Sequence, residues 1–370
     1  MGAARLVVAK LGTSTLVDGS GALDHDFIRS LCDQVGALAE EGTRVVLVSS
    51  GAAAAGRDVL GFDARPTDIP TLQACAAAGQ VRLTEAYAEV LAKRGIPCGQ
   101  VLLTRRDVTD RDGYLNARNT LERLLDLGVV PVVNENDTVS VAEFAFGDND
   151  MLGAIVAAML NADLYVILSD VEGLYTSNPQ TDPSASLVEL VEEVNGRVSS
   201  MAGGAGTSFG TGGMSSKLRA ARAMLVAGIP TVICQGRRER VLVDVAHGQR
   251  VGTLFQAPEG TPHETGRKLW IGLAEVVKGT LTLDDGASRA VVERGSSILP
   301  VGVVSTTGTY EAGDVVNVVT QRGDLIGRGV ARYSSDDMRR VHGLKLEVIA
   351  RFLDEKYVQP AIHRDELLVF

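Results

Sequence analysis

Between residues 134 and 150 the chain carries three aspartates, Asp137, Asp148 and Asp150, and three side-chain amides, Asn134, Asn136 and Asn149. A pocket in which Asp137 lies near Asn134 and Asn149 can accept the N–H donors of an ammonium group. The same residue types are ordinary turn and N-cap residues, which by itself explains Asp148. Yet the two polar clusters sit after a buried-strand pattern at 129–133 and before an apolar helical stretch. In open α/β sheets ligands bind just beyond the carboxyl ends of strands.

Three further turns follow strand patterns. Lys10-Leu11-Gly12-Thr13-Ser14 puts a lysine near the end of an apolar strand, with a glycine through which the backbone can approach a ligand. A lysine there is costly to bury unless paired, so its partner is either a carboxylate from elsewhere in the chain or a phosphate. Ser49-Ser50-Gly51-Ala52-Ala53-Ala54-Ala55-Gly56 leads through small residues into a helix. Such a start leaves backbone N–H groups open to an anion, and it also suits tight helix-on-sheet packing. Gly210-Thr211-Gly212-Gly213-Met214-Ser215-Ser216-Lys217 opens another helix and reads either as a flexible loop or as a phosphate cradle. It lacks the Gly-Lys-Ser/Thr ending of a Walker loop, and no GxGxxG follows a strand, which disfavours P-loop enzymes and Rossmann dehydrogenases.

His25, His247, His263, His342 and His363 all lie outside these turns, so no histidine base is evident. A carboxylate acceptor needs none, because it is already ionised at neutral pH. Phosphoryl transfer requires positioning and positive charge, which two lysines and a magnesium ion can supply. The pattern therefore favours transfer to a carboxylate over transfer to a hydroxyl.

The elements that must hold these turns alternate β-branched runs with helical periods, as expected of a mainly parallel sheet covered on both faces. Strands are predicted at 5–11, 44–49, 99–104, 129–133, 164–169 and 229–234, and helices at 26–40, 71–92, 113–127, 151–160 and 216–227. Gly42, Gly95, Gly128 and Gly228 supply helix stop signals. Residues 1–256 form this domain, 257–270 read as a Pro- and Gly-containing linker, and 271–370 as a small, mostly β domain. With 370 residues, 45% of them apolar, the chain can bury a large core. Its formal charge of -10 argues against an unspecific polyanion binder. Four scattered cysteines, Cys32, Cys75, Cys98 and Cys234, suggest neither zinc site nor disulfide framework and fit a reduced, cytoplasmic setting. No apolar stretch approaches the ~20 residues a membrane span needs.

Taken together, these motifs occur in the order and spacing of the amino acid kinase family, and the resemblance covers nearly the whole chain. Glu293-Arg294-Gly295-Ser296-Ser297-Ile298-Leu299-Pro300 and Gly327-Arg328-Gly329-Val330 resemble a PUA domain. The resemblance implies a three-layer αβα fold followed by the PUA domain, and ATP-dependent phosphorylation of the γ-carboxylate of L-glutamate, the first step of proline biosynthesis. By motif, Lys10 and Lys217 would neutralise the moving phosphoryl group. Ser50, Gly51, Asn134, Asp137 and Asn149 would bind glutamate. Lys10, Gly12, Ser169, Asp170 and Thr211, Gly212, Gly213, Met214, Ser215, Ser216 and Lys217 would line the ATP site. Asp148 and Asp150 would orient the lysines or waters on magnesium, the ion itself being held mainly by the nucleotide. Relatives often have Thr where this chain has Ser169 and Ser216, which keeps the hydroxyl. Feedback inhibition by proline, a homo-oligomer (dimer or tetramer) and partnership with glutamate-5-semialdehyde dehydrogenase are implied by resemblance alone.

The alternatives are another amino acid kinase, acting on acetylglutamate or aspartate, or an RNA-binding protein using the PUA domain. An N-acetylated substrate would leave Asp137 facing a neutral amide, which favours free glutamate. Residues 275–370 hold 12 Lys and Arg against 14 Asp and Glu, a balance that weighs against RNA binding as the main role.

Overall fold

The computed structural model describes residues 4–19, 21–109, 111–140, 149–202, 213–260, 277–351 and 358–369, with backbone alone at 106, 109 and 111. The chain divides into two compact units, Met1–Pro262 and His263–Phe370. Asp148, Gly210, Thr211, Gly212 and the 261–270 part of the expected linker lie outside the described residues.

The first unit is built on eight strands: β1 (Leu6–Leu11), β2 (Arg44–Val48), β3 (Cys98–Leu103), β4 (Val130–Glu135), β5 (Leu164–Ser169), β6 (Leu190–Val191), β7 (Thr231–Gln235) and β8 (Thr253–Phe255). They lie in the order β3-β4-β2-β1-β5-β7-β8-β6, parallel except for the β7–β8 pair. β1, β4 and β5 are buried along their whole length, as parallel strands covered on both faces must be. From β1 the chain moves first to the β2 side and later to the β5 side, so the carboxyl end of β1 is the switch point of the sheet.

Alternation along the strands sorts the side chains between two helical layers. Val7, Ala9 and Leu11 of β1, Val130 and Val132 of β4, and Leu164, Val166 and Leu168 of β5 share a core with the His25–Glu40 and Ile69–Ala92 helices. The opposite face carries the Asn149–Met159 helix, packed on β1 and β5, and the Met214–Ala227 helix, packed on it and on β7. Parity therefore directs Lys10 toward one layer and Asn134 toward the other. This is the expected three-layer αβα architecture.

Several boundaries depart from the sequence reading. β4 runs on to Glu135, so Asn134 and Glu135 are buried strand residues and not part of a polar loop. Pairing of Leu102 with Asn134 and Leu103 with Glu135 across to β3 outweighs their low strand propensity. The helix expected from 71 begins at Ile69, where the Asp68 carboxylate accepts from Thr71 N at 2.9 Å. β6, β8 and the Val241–Ala246 helix went unpredicted because each is too short to display a period.

The second unit holds a five-stranded sheet: β9 (Gly279–Leu283), β10 (Val303–Gly308), β11 (Val315–Thr320), β12 (Leu325–Val330) and β13 (Leu367–Val369), in the order β10-β9-β11-β12-β13. Leu281, Leu283, Val316 and Val318 alternate into its core, the period-2 signal of a one-sided strand. The Asp285–Arg294 helix is capped by Asp284, which accepts from Ala287 N at 2.7 Å, and ends at Gly295 in the left-handed region, φ 58°.

Candidate active site

Lys10 lies at the carboxyl end of β1, where apolar neighbours on β2 and β5 hold the strand and leave the ammonium group little water. Its partner is Asp150, in the first turn of the Asn149–Met159 helix, whose Oδ1 is 2.5 Å from Lys10 Nζ. The other oxygen, Oδ2, takes Lys217 Nζ at 3.2 Å and the Ser216 hydroxyl at 2.7 Å, both from the first turn of the Met214–Ala227 helix. One fully buried carboxylate thus ties together two buried ammonium groups from two elements. Burial by itself would raise the Asp150 carboxyl, but the charges of Lys10 and Lys217, with hydrogen bonds from Lys10 and Ser216, outweigh it and hold the pKa below the ordinary value. The carboxylate that the buried lysine required is therefore present. The Tyr165 hydroxyl donates to the Asp150 carbonyl at 2.7 Å and so fixes the turn that carries the carboxylate.

On the neighbouring strand ends side-chain amides and hydroxyls form a second network. Asn149 Nδ2 lies 2.6 Å from the Ser49 carbonyl oxygen, 2.9 Å from Asn134 Oδ1 and 3.0 Å from Ser50 Oγ. Asn134 Nδ2 donates to Gln80 Oε1 at 2.8 Å, and its Oδ1 accepts from Glu135 N at 2.9 Å. Gly51, with φ 88°, adopts the left-handed conformation that a side chain would strain, and turns the chain into the Ala52–Val59 helix without a side-chain cap. The first amides of that helix therefore stay open to an anion. Asp137 follows in the turn after β4, half-buried, and burial raises its carboxyl above the ordinary value. An ammonium ligand beside it would reverse that shift.

Gly213 caps the Met214–Ala227 helix through its backbone alone, leaving a second uncapped helix start beside Lys217. Ser169 and Asp170 occupy the end of β5 and the position after it, with the Ser169 hydroxyl donating to Asp170 Oδ1 at 3.0 Å. Gly12 follows β1, and its N–H donates to the Leu168 carbonyl at 3.3 Å. A β-carbon at Gly12 would lie 3.9 Å from Lys10 Nζ, so its absence keeps that flank of the ammonium group uncovered. Lys10, Ser50, Asn134 and Ser169 thus stand at or just beyond the carboxyl ends of β1, β2, β4 and β5.

Sequence reasoning did not find Gln80, Tyr165 or the contact of Ser216 with Asp150. A signal for Gln80 exists in hindsight: Ala76, Gln80, Leu83, Tyr87 and Leu91 form one helical stripe, and a carboxamide within it demands a partner.

A helix start without a side-chain cap lies beside the buried lysines, with acidic and amide groups on the adjacent strand ends, an arrangement that can hold and neutralise an anionic group. Residues 5–235 match the model of the amino acid kinase family and residues 279–353 that of the PUA domain. The chain belongs to the amino acid kinase family. Among curated relatives, glutamate 5-kinase of Trichlorobacter lovleyi is 43% identical over 366 residues, covering 99% of this chain and 96% of that one. Glutamate 5-kinase of Syntrophotalea carbinolica is 44% identical over 364 residues, covering 98% and 96%. That of Escherichia fergusonii is 44% identical over 368 residues and covers both chains fully.

Proposed function

We propose that this chain transfers the γ-phosphoryl group of ATP to the γ-carboxylate of L-glutamate, giving L-glutamyl 5-phosphate and ADP. The observation that carries the reading is the buried Lys10–Asp150–Lys217 bridge at the sheet's switch point, beside a pocket of amides and carboxylates. An oxygen of the ionised γ-carboxylate attacks the γ-phosphorus, the bond from that phosphorus to the β-bridging oxygen breaks, and ADP carries the electron pair away. No proton has to be removed from the acceptor. Lys10 and Lys217 neutralise charge on the transferring group, and Asp150 keeps the two like charges in place.

Gly12, Ser169, Asp170 and the turn from Thr211 to Lys217 line the nucleotide side of this reading. Ser50, Gly51, Asn134, Asp137 and Asn149 form the glutamate side, with Asp137 taking the α-ammonium group. Asp150 is committed to two lysines, so magnesium would be carried mainly by the phosphates of the nucleotide, where it neutralises charge on the leaving group. Residues 1–256 then make up the kinase domain and 271–370 the PUA domain. The reading extends to inhibition by proline at or overlapping the glutamate pocket, since proline shares the α-amino acid head of the substrate. A dimeric or tetrameric enzyme in the cytoplasm, working beside glutamate-5-semialdehyde dehydrogenase, completes it. Free Cys32, Cys75, Cys98 and Cys234 agree with a reducing compartment, and among the described residues no helix is long and apolar enough to cross a membrane.

Trapping of the acyl phosphate by hydroxylamine tests the reaction. With ATP and magnesium, hydroxamate should form with glutamate and far more slowly with N-acetylglutamate or aspartate. Equal or faster formation with either of those substrates would overturn the assignment.

A further inference from the structure

A carboxamide can present its oxygen or its NH2 group in either of two orientations, and a reversed one offers donors where a substrate needs acceptors. In the amide cluster two backbone groups remove that freedom. The Glu135 N–H must donate, so the Asn134 atom 2.9 Å away is oxygen and the other end of that side chain is NH2. The Ser49 carbonyl must accept, so the Asn149 atom 2.6 Å away is nitrogen. Asn134 NH2 then needs an acceptor, and Gln80 supplies Oε1 at 2.8 Å. At its far end Gln80 Nε2 donates to Thr84 Oγ1 at 3.2 Å, while the Thr84 hydroxyl gives its own hydrogen to the Gln80 carbonyl at 2.9 Å. The orientation of Gln80 is thereby settled at both ends.

From this we infer that Gln80 is a positioning residue that, together with these two backbone groups, holds the hydrogen-bonding polarity of the glutamate pocket by accepting from Asn134, an inference that rests on the assignment of Asn134 and Asn149 to that pocket. The chain of amides leaves Asn149 Oδ1 outside these contacts, as an acceptor for the substrate ammonium group. Its nitrogen already faces three acceptors and accepts nothing itself, so the Ser50 hydroxyl hydrogen is directed away from it, toward a substrate carboxylate. Gln80 is itself held firmly. Its neighbour Gly79 meets Gly56 where the Ile69–Ala92 and Ala52–Val59 helices cross backbone to backbone, and a β-carbon on either glycine would overlap the other helix. The second of these helices begins directly after Ser50 and Gly51, so one crossing registers Gln80 against the turn it serves.

The test compares Gln80→Met, of similar volume but without the acceptor, with Gln80→Glu, which keeps it, using L-glutamate and 2-hydroxyglutarate, where a hydroxyl replaces the ammonium group. Gln80→Met should raise the KM for glutamate about tenfold, as when a buried donor loses its partner, and change the KM for ATP by less than about twofold. It should narrow the preference for glutamate over 2-hydroxyglutarate by about tenfold, and Gln80→Glu should restore both to within about threefold. An unchanged preference, or an equal rise in both KM values, overturns the inference. Asn149→Ala separates the levels: if it leaves the KM for glutamate unaltered, the pocket assignment itself fails, whereas a raised KM there with a silent Gln80→Met sinks only the role of Gln80. Should Gln80→Met not fold, Thr84→Val releases the other end of Gln80 and should shift the preference in the same direction by about threefold. No shift in that variant overturns the inference equally.

Discussion

The two halves of the proposed site would solve the same problem, holding a charged ligand away from water, by different means. On one side Lys10, Lys217 and Asp150 use full charges whose attraction is strong at short range and loosely directional. On the other side Gln80, Asn134, Asn149 and Ser50 use neutral groups whose value lies in which atom is donor and which is acceptor. Charge suits a phosphoryl group, which develops negative charge over several oxygens as it moves. Directional amides suit recognition of one amino acid among similar ones, because a misplaced donor there leaves a buried group unpaired.

Replacement in the charged half should therefore damage rate, and replacement in the neutral half should damage recognition. The largest effect is expected from Lys217→Ala, which should lower kcat by roughly 100-fold or more, as loss of a preorganised donor does. Steady-state kinetics showing an unaltered kcat would remove Lys217 from the reaction. Asp150→Asn comes next, because it removes the carboxylate charge that faces two buried ammonium groups, and breaking a buried pair costs about 3–5 kcal/mol. Its melting temperature should fall well below that of the parent at neutral pH. The folded-state pKa of Asp150 is depressed, so its stabilisation is present above the unfolded value and lost as pH falls through the folded one. The melting difference between the two proteins should therefore shrink toward strongly acid pH; a difference independent of pH would place the damage elsewhere.

Asp137→Asn should raise the KM for glutamate while sparing that for ATP. The free Asp137 carboxyl is raised by burial, and it must be ionised to pair with an ammonium group. Affinity for glutamate in the parent enzyme should consequently weaken as pH falls toward this raised value, above the ordinary carboxylate range. The variant should lack that acid limb, and a KM profile with the same limb in both proteins would exclude Asp137 as its source. The smallest effect belongs to Tyr165→Phe, which removes the hydroxyl on the Asp150 carbonyl and leaves the charges in place. A fall in kcat of only about threefold, with both KM values little changed, is expected from the loss of one neutral hydrogen bond. A loss as large as that of Lys217→Ala would mean that the turn, and not the charge, governs the rate.

The sequence alone carried the alternation of strands and helices, the turns at the strand ends, and two lysines at those turns, with the need of Lys10 for a counter-charge. All of these depend on local period, on turn chemistry or on the cost of burying a cation, which neighbours in sequence already express. Tertiary structure decided that Asp150 is that counter-charge for Lys10 and Lys217 at once, since the three meet only when β1 and two helices from distant parts of the chain pack on one face. It also decided that Asn134 and Glu135 belong to β4, because pairing with β3 overrides their preference for turns. Strand parity then pointed Asn134 at the layer holding Gln80 and Lys10 at the layer holding Asp150. A one-residue shift in either strand would reverse its faces, and no local pattern fixes register across such distances.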